Sequence, residues 1–173
     1  GAHQSYASNS VFVANATVNS YTFHNCLFLG YGVLSYTNLY NCTAAGCACR
    51  GFEPASGTVT LYNCISWSNS SADAGNVVAY NSCGVGSIYT NTLLGNTTNH
   101  PLFVAPGTGY GTNHVAGNYR LHPASPCVNA GTNFPWMATA ADLDGRLRID
   151  RLFQRADMGA YEAICGGSLF STR

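Results

Sequence analysis

Three segments of this chain are near copies of one another, each turning on an Asn-Cys pair. They read Tyr21-Thr-Phe-His-Asn25-Cys26-Leu-Phe, Thr37-Asn-Leu-Tyr-Asn41-Cys42-Thr-Ala and Val59-Thr-Leu-Tyr-Asn63-Cys64-Ile-Ser, with Val77-Val-Ala-Tyr-Asn81-Ser-Cys83 as a degenerate fourth. The unit is a short alternating strand, an Asn, then a second strand. Its spacings of 16 and 22 residues suit a solenoid whose turns vary in length. Val, Thr, Tyr and Phe dominate, Gly and Asn interrupt, and no sustained i, i+3, i+4 pattern speaks for helices. An antiparallel sandwich competes, but its hairpins want Asn-Gly or Asp-Gly turns, and Asp144-Gly145 is the sole such pair. The expected fold is therefore all-β: a right-handed parallel β-helix over residues 1–104, followed by an irregular closing segment, 105–173, packed on the same solenoid.

In such a coil stack one residue type recurs at one corner, about 4.8 Å from its neighbours. Asn25, Asn41 and Asn63 are read as this ladder, with side chains turned inward and amides bonding one another. The cysteines that follow them would stack too. Cys26, Cys42, Cys47, Cys49, Cys64, Cys83, Cys127 and Cys165 form an even set, which favours disulfides and an oxidising, extracellular compartment. Strand geometry weighs against the required torsion, so buried stacked thiols stand as the alternative.

Four stretches follow in order: Leu61-Tyr-Asn-Cys-Ile-Ser-Trp-Ser-Asn69, Asn99-His-Pro-Leu-Phe-Val104, Gly117-Asn-Tyr-Arg-Leu-His-Pro-Ala-Ser-Pro-Cys-Val-Asn-Ala-Gly131, and Asp142-Leu-Asp-Gly-Arg146-Leu-Arg148 closing with Asp157-Met-Gly-Ala-Tyr-Glu162. Together they resemble the secreted bacterial β-helix repeat proteins that end in a choice-of-anchor Q domain. The resemblance implies a right-handed β-helix, export, and attachment to the cell envelope; it implies no single activity. His100 and Asn129 stand where that family usually carries acids. The eleven residues after Glu162 hold no hydrophobic tail with a basic end for envelope anchoring.

Only 8% of residues are charged, with no lysine, and the formal net charge is zero. No basic field exists to hold nucleic acid or anionic lipid, and no apolar run is long enough for a membrane span. No signal segment opens the chain, as in a mature form starting at Gly1. Before residue 142 the acids are Glu53 and Asp73 alone, and Arg50 and Arg120 are the only arginines. Glycosidases need two facing carboxylates and lyases a base beside a cation, so no catalytic constellation is expected there. His24 beside the ladder reads as solvated. His3, His100, His114 and His122 lack metal-ligand spacing, and no metal or other cofactor is assigned. Asp142-x-Asp144-Gly145 opens like a calcium loop but lacks the remainder, so a tight turn pairing its acids with neighbouring arginines is the competing reading.

Sequons occur at Asn15, Asn41, Asn69 and Asn96; Asn41 belongs to the ladder, which leaves Asn15, Asn69 and Asn96 as glycosylation candidates. Val11-Phe12-Val13 reads as a first strand with no amphipathic cap before it, an edge that invites pairing with another copy. The likeliest counterpart by position is the tail from Asp157 to Arg173. The functional expectation is a non-catalytic extracellular structural or surface protein that stacks head to tail into filaments. The competing readings are a carbohydrate-binding or adhesin module, using Tyr31, Tyr36, Tyr40, Tyr62, Tyr80 and Trp67 as stacking faces, and a fragment of a polysaccharide-active enzyme.

Overall fold

The computed structural model describes residues 5–13, 17–19, 21–30, 33–35, 37–52, 54–71, 77–86 and 92–164. They form a parallel β-solenoid with three faces. Sheet A stacks β1 (Ser5–Ser8), β4 (Tyr21–His24), β7 (Asn38–Tyr40), β10 (Val59–Tyr62) and β12 (Val77–Tyr80) in that order. Sheet B stacks β2 (Val11–Val13), β5 (Leu27–Leu29), β8 (Thr43–Ala45), β11 (Ile65–Trp67) and β13 (Cys83–Gly84). Sheet C holds β3 (Thr17–Asn19), β6 (Val33–Ser35) and β9 (Pro54–Ser56). Every neighbouring pair in these sheets is parallel. Three coils thus show all three faces, and two further coils show faces A and B. The one antiparallel pair among the described strands, β14 (Phe103–Ala105) with β15 (Asn118–Leu121), lies outside the stack.

The alternation of each strand sorts its side chains. On sheet A, Phe23, Leu39, Leu61 and Ala79 are in register and fill the lumen, while His24, Tyr40, Tyr62 and Tyr80 take the opposite face. Phe12, Phe28 and Phe52 reach the same lumen from the other walls and interlock as stacked and edge-on rings.

The corner between sheets A and B is made five times by Asn: Asn9, Asn25, Asn41, Asn63 and Asn81 all have φ between 46° and 54°. This left-handed conformation repels most side chains but suits Asn, which explains why the repeat turns on that residue. The next corner uses Gly30, Gly46 and Ser68, again at positive φ and in register.

The ladder amides do not turn into the lumen. Asn25 donates to Ala141 O (2.8 Å), Asn41 to Asp157 O (2.9 Å), Asn63 to Thr132 O (2.8 Å) and Asn81 to Ala130 O (3.5 Å), all in the closing segment. Bonds between rungs join Asn25 to Asn9 (3.0 Å) and Asn63 to Asn41 (3.3 Å). A residue in the left-handed conformation swings its side chain away from the strand it follows, so the amide meets whatever lies outside the corner.

The row that does face the lumen is the next one, Cys26, Cys42 and Cys64, each fully buried. The seven described cysteines, 26, 42, 47, 49, 64, 83 and 127, are free thiols, so the expectation of disulfides among them is corrected; Cys165 lies outside the described residues. In-register parallel strands give stacked cysteines the same orientation. Each thiol donates to the carbonyl two residues back, His24, Tyr40 or Tyr62 (3.2 to 3.3 Å), and the three interact as neighbouring thiols up the row without a covalent link.

The closing segment clads the flank of the solenoid. It covers the outward side of sheet B, where Leu27, Leu29, Ala45, Ile65 and Cys83 pack against Phe103, Tyr119, Leu121, Met158 and Ala160. Gly159, at φ +88°, permits the closest approach: a Cβ there would lie 2.8 Å from both the Ile65 side chain and the Thr43 hydroxyl. The cladding meets coils two to five, and the first coil keeps Val11 (52% exposed) and Val13 (72%) in solvent.

Candidate functional site

With sheet B covered, the outer face of sheet A is the broad regular surface left open among the side chains described. It carries two parallel rows. The first is Tyr6, Thr22, Asn38, Thr60 and Val78, exposed or half-buried. The second continues from His24 through Tyr40, Tyr62 and Tyr80, with ring centroids 4.8, 4.8 and 5.2 Å apart. Successive strands one coil apart put these rings at stacking distance, and the two Tyr–Tyr pairs are tilted by only 10°. Their faces are consumed by one another, which leaves ring edges and hydroxyls for solvent.

Phe134 and Trp136 of the closing segment flank the aromatic row. Phe134 stands edge-on to Tyr40 (5.2 Å) and Tyr62 (5.5 Å), and Trp136 lies 4.2 Å from His24. A short 3-10 turn over Pro135–Ala138 sets both rings, with Pro in its first turn and Met137 buried beneath it. The sequence reading missed both; the signal available was an Asn-Phe-Pro-Trp run in an otherwise polar stretch.

His24 is not solvated. It is 8% exposed, enclosed by Tyr6, Tyr40 and Trp136, and burial lowers its pKa to about 4. Its Nδ1, Asn25 Oδ1 and Trp136 Nε1 are buried without hydrogen-bond partners. Of the other aromatics expected to bind, Trp67 is half-buried and edge-on to His100 (5.1 Å). Tyr31 and Tyr36 lie outside the described residues.

Several acids and arginines of the closing segment pair with one another, with Asp142, Arg148, Asp157 and Glu162 buried and Arg120 and Arg146 at the surface. Asp142 Oδ1 accepts from the N–H groups of Asp144 and Arg146 (2.8 Å each), and its Oδ2 from Glu162 N (2.7 Å). Arg120 grips Asp144 with two bonds of 2.6 and 2.5 Å, which holds that carboxyl below its usual range. Arg148, wholly buried, donates to Asp157 O and Gly159 O and pairs with Glu162 at 2.9 Å. Burial nevertheless pushes Glu162 up to about 8, outweighing the pull of Arg148, with Asp157 and Asp142 adding to the rise. The oxygens of a calcium-type loop at Asp142 and Asp144 are thus engaged by backbone N–H groups and Arg120. No group of three or more metal-ligating side chains occurs among the described residues.

One glycosylation candidate is corrected by its bonding. Asn96 is 4% exposed, donates to Ala79 O (2.8 Å) and accepts from Ser82 N (3.0 Å), so its amide is sealed in the stack. Asn69 is half-buried, accepts from Cys47 N (3.0 Å) and donates to the Ser66 hydroxyl (3.1 Å). Asn15 lies outside the described residues.

At the first coil, Phe12 turns inward and stacks on Phe28 (5.0 Å), while Val11 and Val13 face outward. Val13 borders an apolar recess of about 250 Å³ lined by Leu29, Gly111, Thr112, His114 and Ala116. The proposed counterpart tail is placed elsewhere: Asp157, Met158, Ala160 and Glu162 are buried in the flank, and residues 165–173 lie outside the described residues. Among the described residues no helix is long and apolar enough to cross a membrane. No protein-family model matches the chain, and no curated protein matches it. What the geometry establishes is a parallel β-solenoid.

Proposed function

We propose that this protein is a non-catalytic extracellular structural solenoid that associates head to tail with further copies of itself. The observation that carries this reading is the exposed edge of the first coil among the described residues. β1 and β2 are the outermost strands of their sheets, and Tyr6, Val11 and Val13 are 60%, 52% and 72% exposed there. Leu93, 95% exposed, offers apolar surface beyond the last strand of the stack. Covering such an end removes apolar area at roughly 25 cal/mol per Å² and pairs a strand of backbone groups. Contact between two unlike ends of identical subunits propagates.

Extracellular placement draws on the motifs shared with choice-of-anchor Q proteins and on a surface polar through Asn, Thr and Ser instead of charge. The free thiols withdraw the support that disulfides would have lent it. Sedimentation decides the assembly. The wild-type chain is expected to form a concentration-dependent ladder, and Val11→Lys with Val13→Lys to remain monomeric with an unchanged thermal transition, because both side chains already face water. A wild-type monomer at high concentration, or a ladder indifferent to the two lysines, overturns the reading.

A further inference from the structure

We propose that a recess in the closing segment binds a single-tailed amphiphile with an anionic head, a medium-chain fatty carboxylate being the simplest. The recess lies between the stretches 146–151 and 162–164 and holds about 420 Å³, within the range of small-molecule sites. It shares no lining residue with the first coil, so the inference goes beyond the assembly reading. Alternation along Arg146-Leu147-Arg148-Ile149 builds it. Arg148 turns inward and is wholly buried, which leaves Leu147 and Ile149 on the recess side. Leu147 and Ile164 are 45% and 65% exposed there, and Ile149 and Ala163 are half-buried. The floor is thus apolar surface left in water, which an alkyl tail would cover.

Charge selects the head group. The ionisable side chains lining the recess are Arg146, Asp150, Arg151 and Glu162. Both acids are already engaged. Asp150 Oδ1 accepts from Leu152 N and Phe153 N at 2.7 Å each, and Glu162, 5% exposed, pairs with the buried Arg148 at 2.9 Å. The guanidinium groups keep donors free. Arg151 is exposed and has no ion-pair partner among the described residues. Arg146 gives one N–H to Glu162 O (2.9 Å) and stands 3.7 Å from Asp144, with further N–H groups to offer. The Asp150 bonds also fix the turn that carries Arg151, closed by Gln154 N donating to Asp150 O (2.8 Å), so that cation is held at the rim before any ligand arrives. An anionic head therefore meets two cations and no unengaged acid. A guanidinium–carboxylate pair in water gains little by itself, so head and tail must act together.

Titration calorimetry on the full chain tests this with hexanoate, octanoate and decanoate below their micelle-forming concentrations, octanol as the neutral head, acetate as the head alone, and vesicles of phosphatidylglycerol. Wild type should bind the fatty carboxylates, roughly two- to fourfold more tightly for each added methylene, and ignore acetate. Octanoate should exceed octanol by roughly tenfold. Arg151→Gln should bring octanoate down to the level of octanol, whereas Leu147→Asn should weaken both alike. Both side chains face solvent, so the thermal transition, recorded for each protein, should stay in place. Should Leu147→Asn shift it, Ile164→Asn replaces that variant with the same expectation. No heat with decanoate, octanol equal to octanoate, or indifference to Arg151→Gln overturns the proposal. Binding of vesicles without binding of free decanoate overturns it too, because the patch would then fit a lipid surface and not a single tail.

Discussion

At the scale of single residues, the fold is set by Asn at one corner. The backbone there must adopt φ near +50°, and the amide must reach across to the closing segment. These two demands separate experimentally at Asn63, whose amide donates to Thr132 O and accepts from Thr132 N, both at 2.8 Å. Asn63→Gly keeps the backbone conformation and forfeits the bonds, leaving two polar groups of Thr132 to find other partners at about 1–3 kcal/mol each. Asn63→Ala adds a further ~1 kcal/mol of left-handed strain. Urea denaturation should rank wild type above Gly and Gly above Ala; equal losses would show that the corner conformation is free of strain. The positions of these Asn residues were legible because the repeat displays them in identical surroundings. Their direction was not, since a corner residue's outlook depends on what packs outside it. Asn9 escaped notice because its flanks, Ser8 and Ser10, share nothing with the Cys-bearing copies.

Among the elements, the strands were readable and the closing segment was not. Alternation in Val59-Thr-Leu-Tyr predicts an inward Leu61 and an outward Tyr62 without knowledge of the neighbours. The segment from 105 to 164 follows no period, and its course is dictated by side chains that pair over distance: Arg120 with Asp144 at the surface, Arg148 with Glu162 in the interior. The interleaving of acids with arginines suggested pairing but not burial. Removing half of such a pair is costly. Arg148→Met should cost about 1–3 kcal/mol for each group it leaves unpaired, the Glu162 carboxyl and the carbonyls of Asp157 and Gly159, and Arg148→Met with Glu162→Leu should recover part of that loss. A single variant as stable as wild type would show that the guanidinium does not hold the segment down. The aromatic row on sheet A was half legible: its tyrosines stood in the repeats, whereas Phe134 and Trp136 reach it only through the return of the closing segment.

For the whole molecule, two buried titrations give stability opposite slopes on pH. His24, ordinarily near 6.5 and lowered to about 4, contributes stability that is present above 6.5 and lost as pH falls toward 4, because the unfolded chain takes up the proton first. Glu162, ordinarily near 4.5 and raised to about 8, contributes stability that is present below 4.5 and lost as pH rises toward 8. Asp157, also raised by burial, adds to the alkaline side. Unfolding midpoints across pH should therefore trace a broad maximum in weakly acidic solution. Glu162→Gln should flatten the alkaline limb and His24→Phe the acidic one. Limbs that survive both substitutions would place the controlling groups elsewhere.

The path of the closing segment bears on how the rod responds to load. It touches Asn81 through Ala130, reaches down to Asn25 through Ala141, and returns to Asn41 and Asn63 through Asp157 and Gly159. A bare coil stack peels one rung at a time, since each coil touches only its neighbours. Here a splint runs alongside and is fastened at four rungs, so pulling one of those coils away also strains bonds made several coils further on. Tension applied within coils two to five is thus shared across them, and they yield as a unit, whereas the first coil, outside the splint, can peel from its neighbour alone.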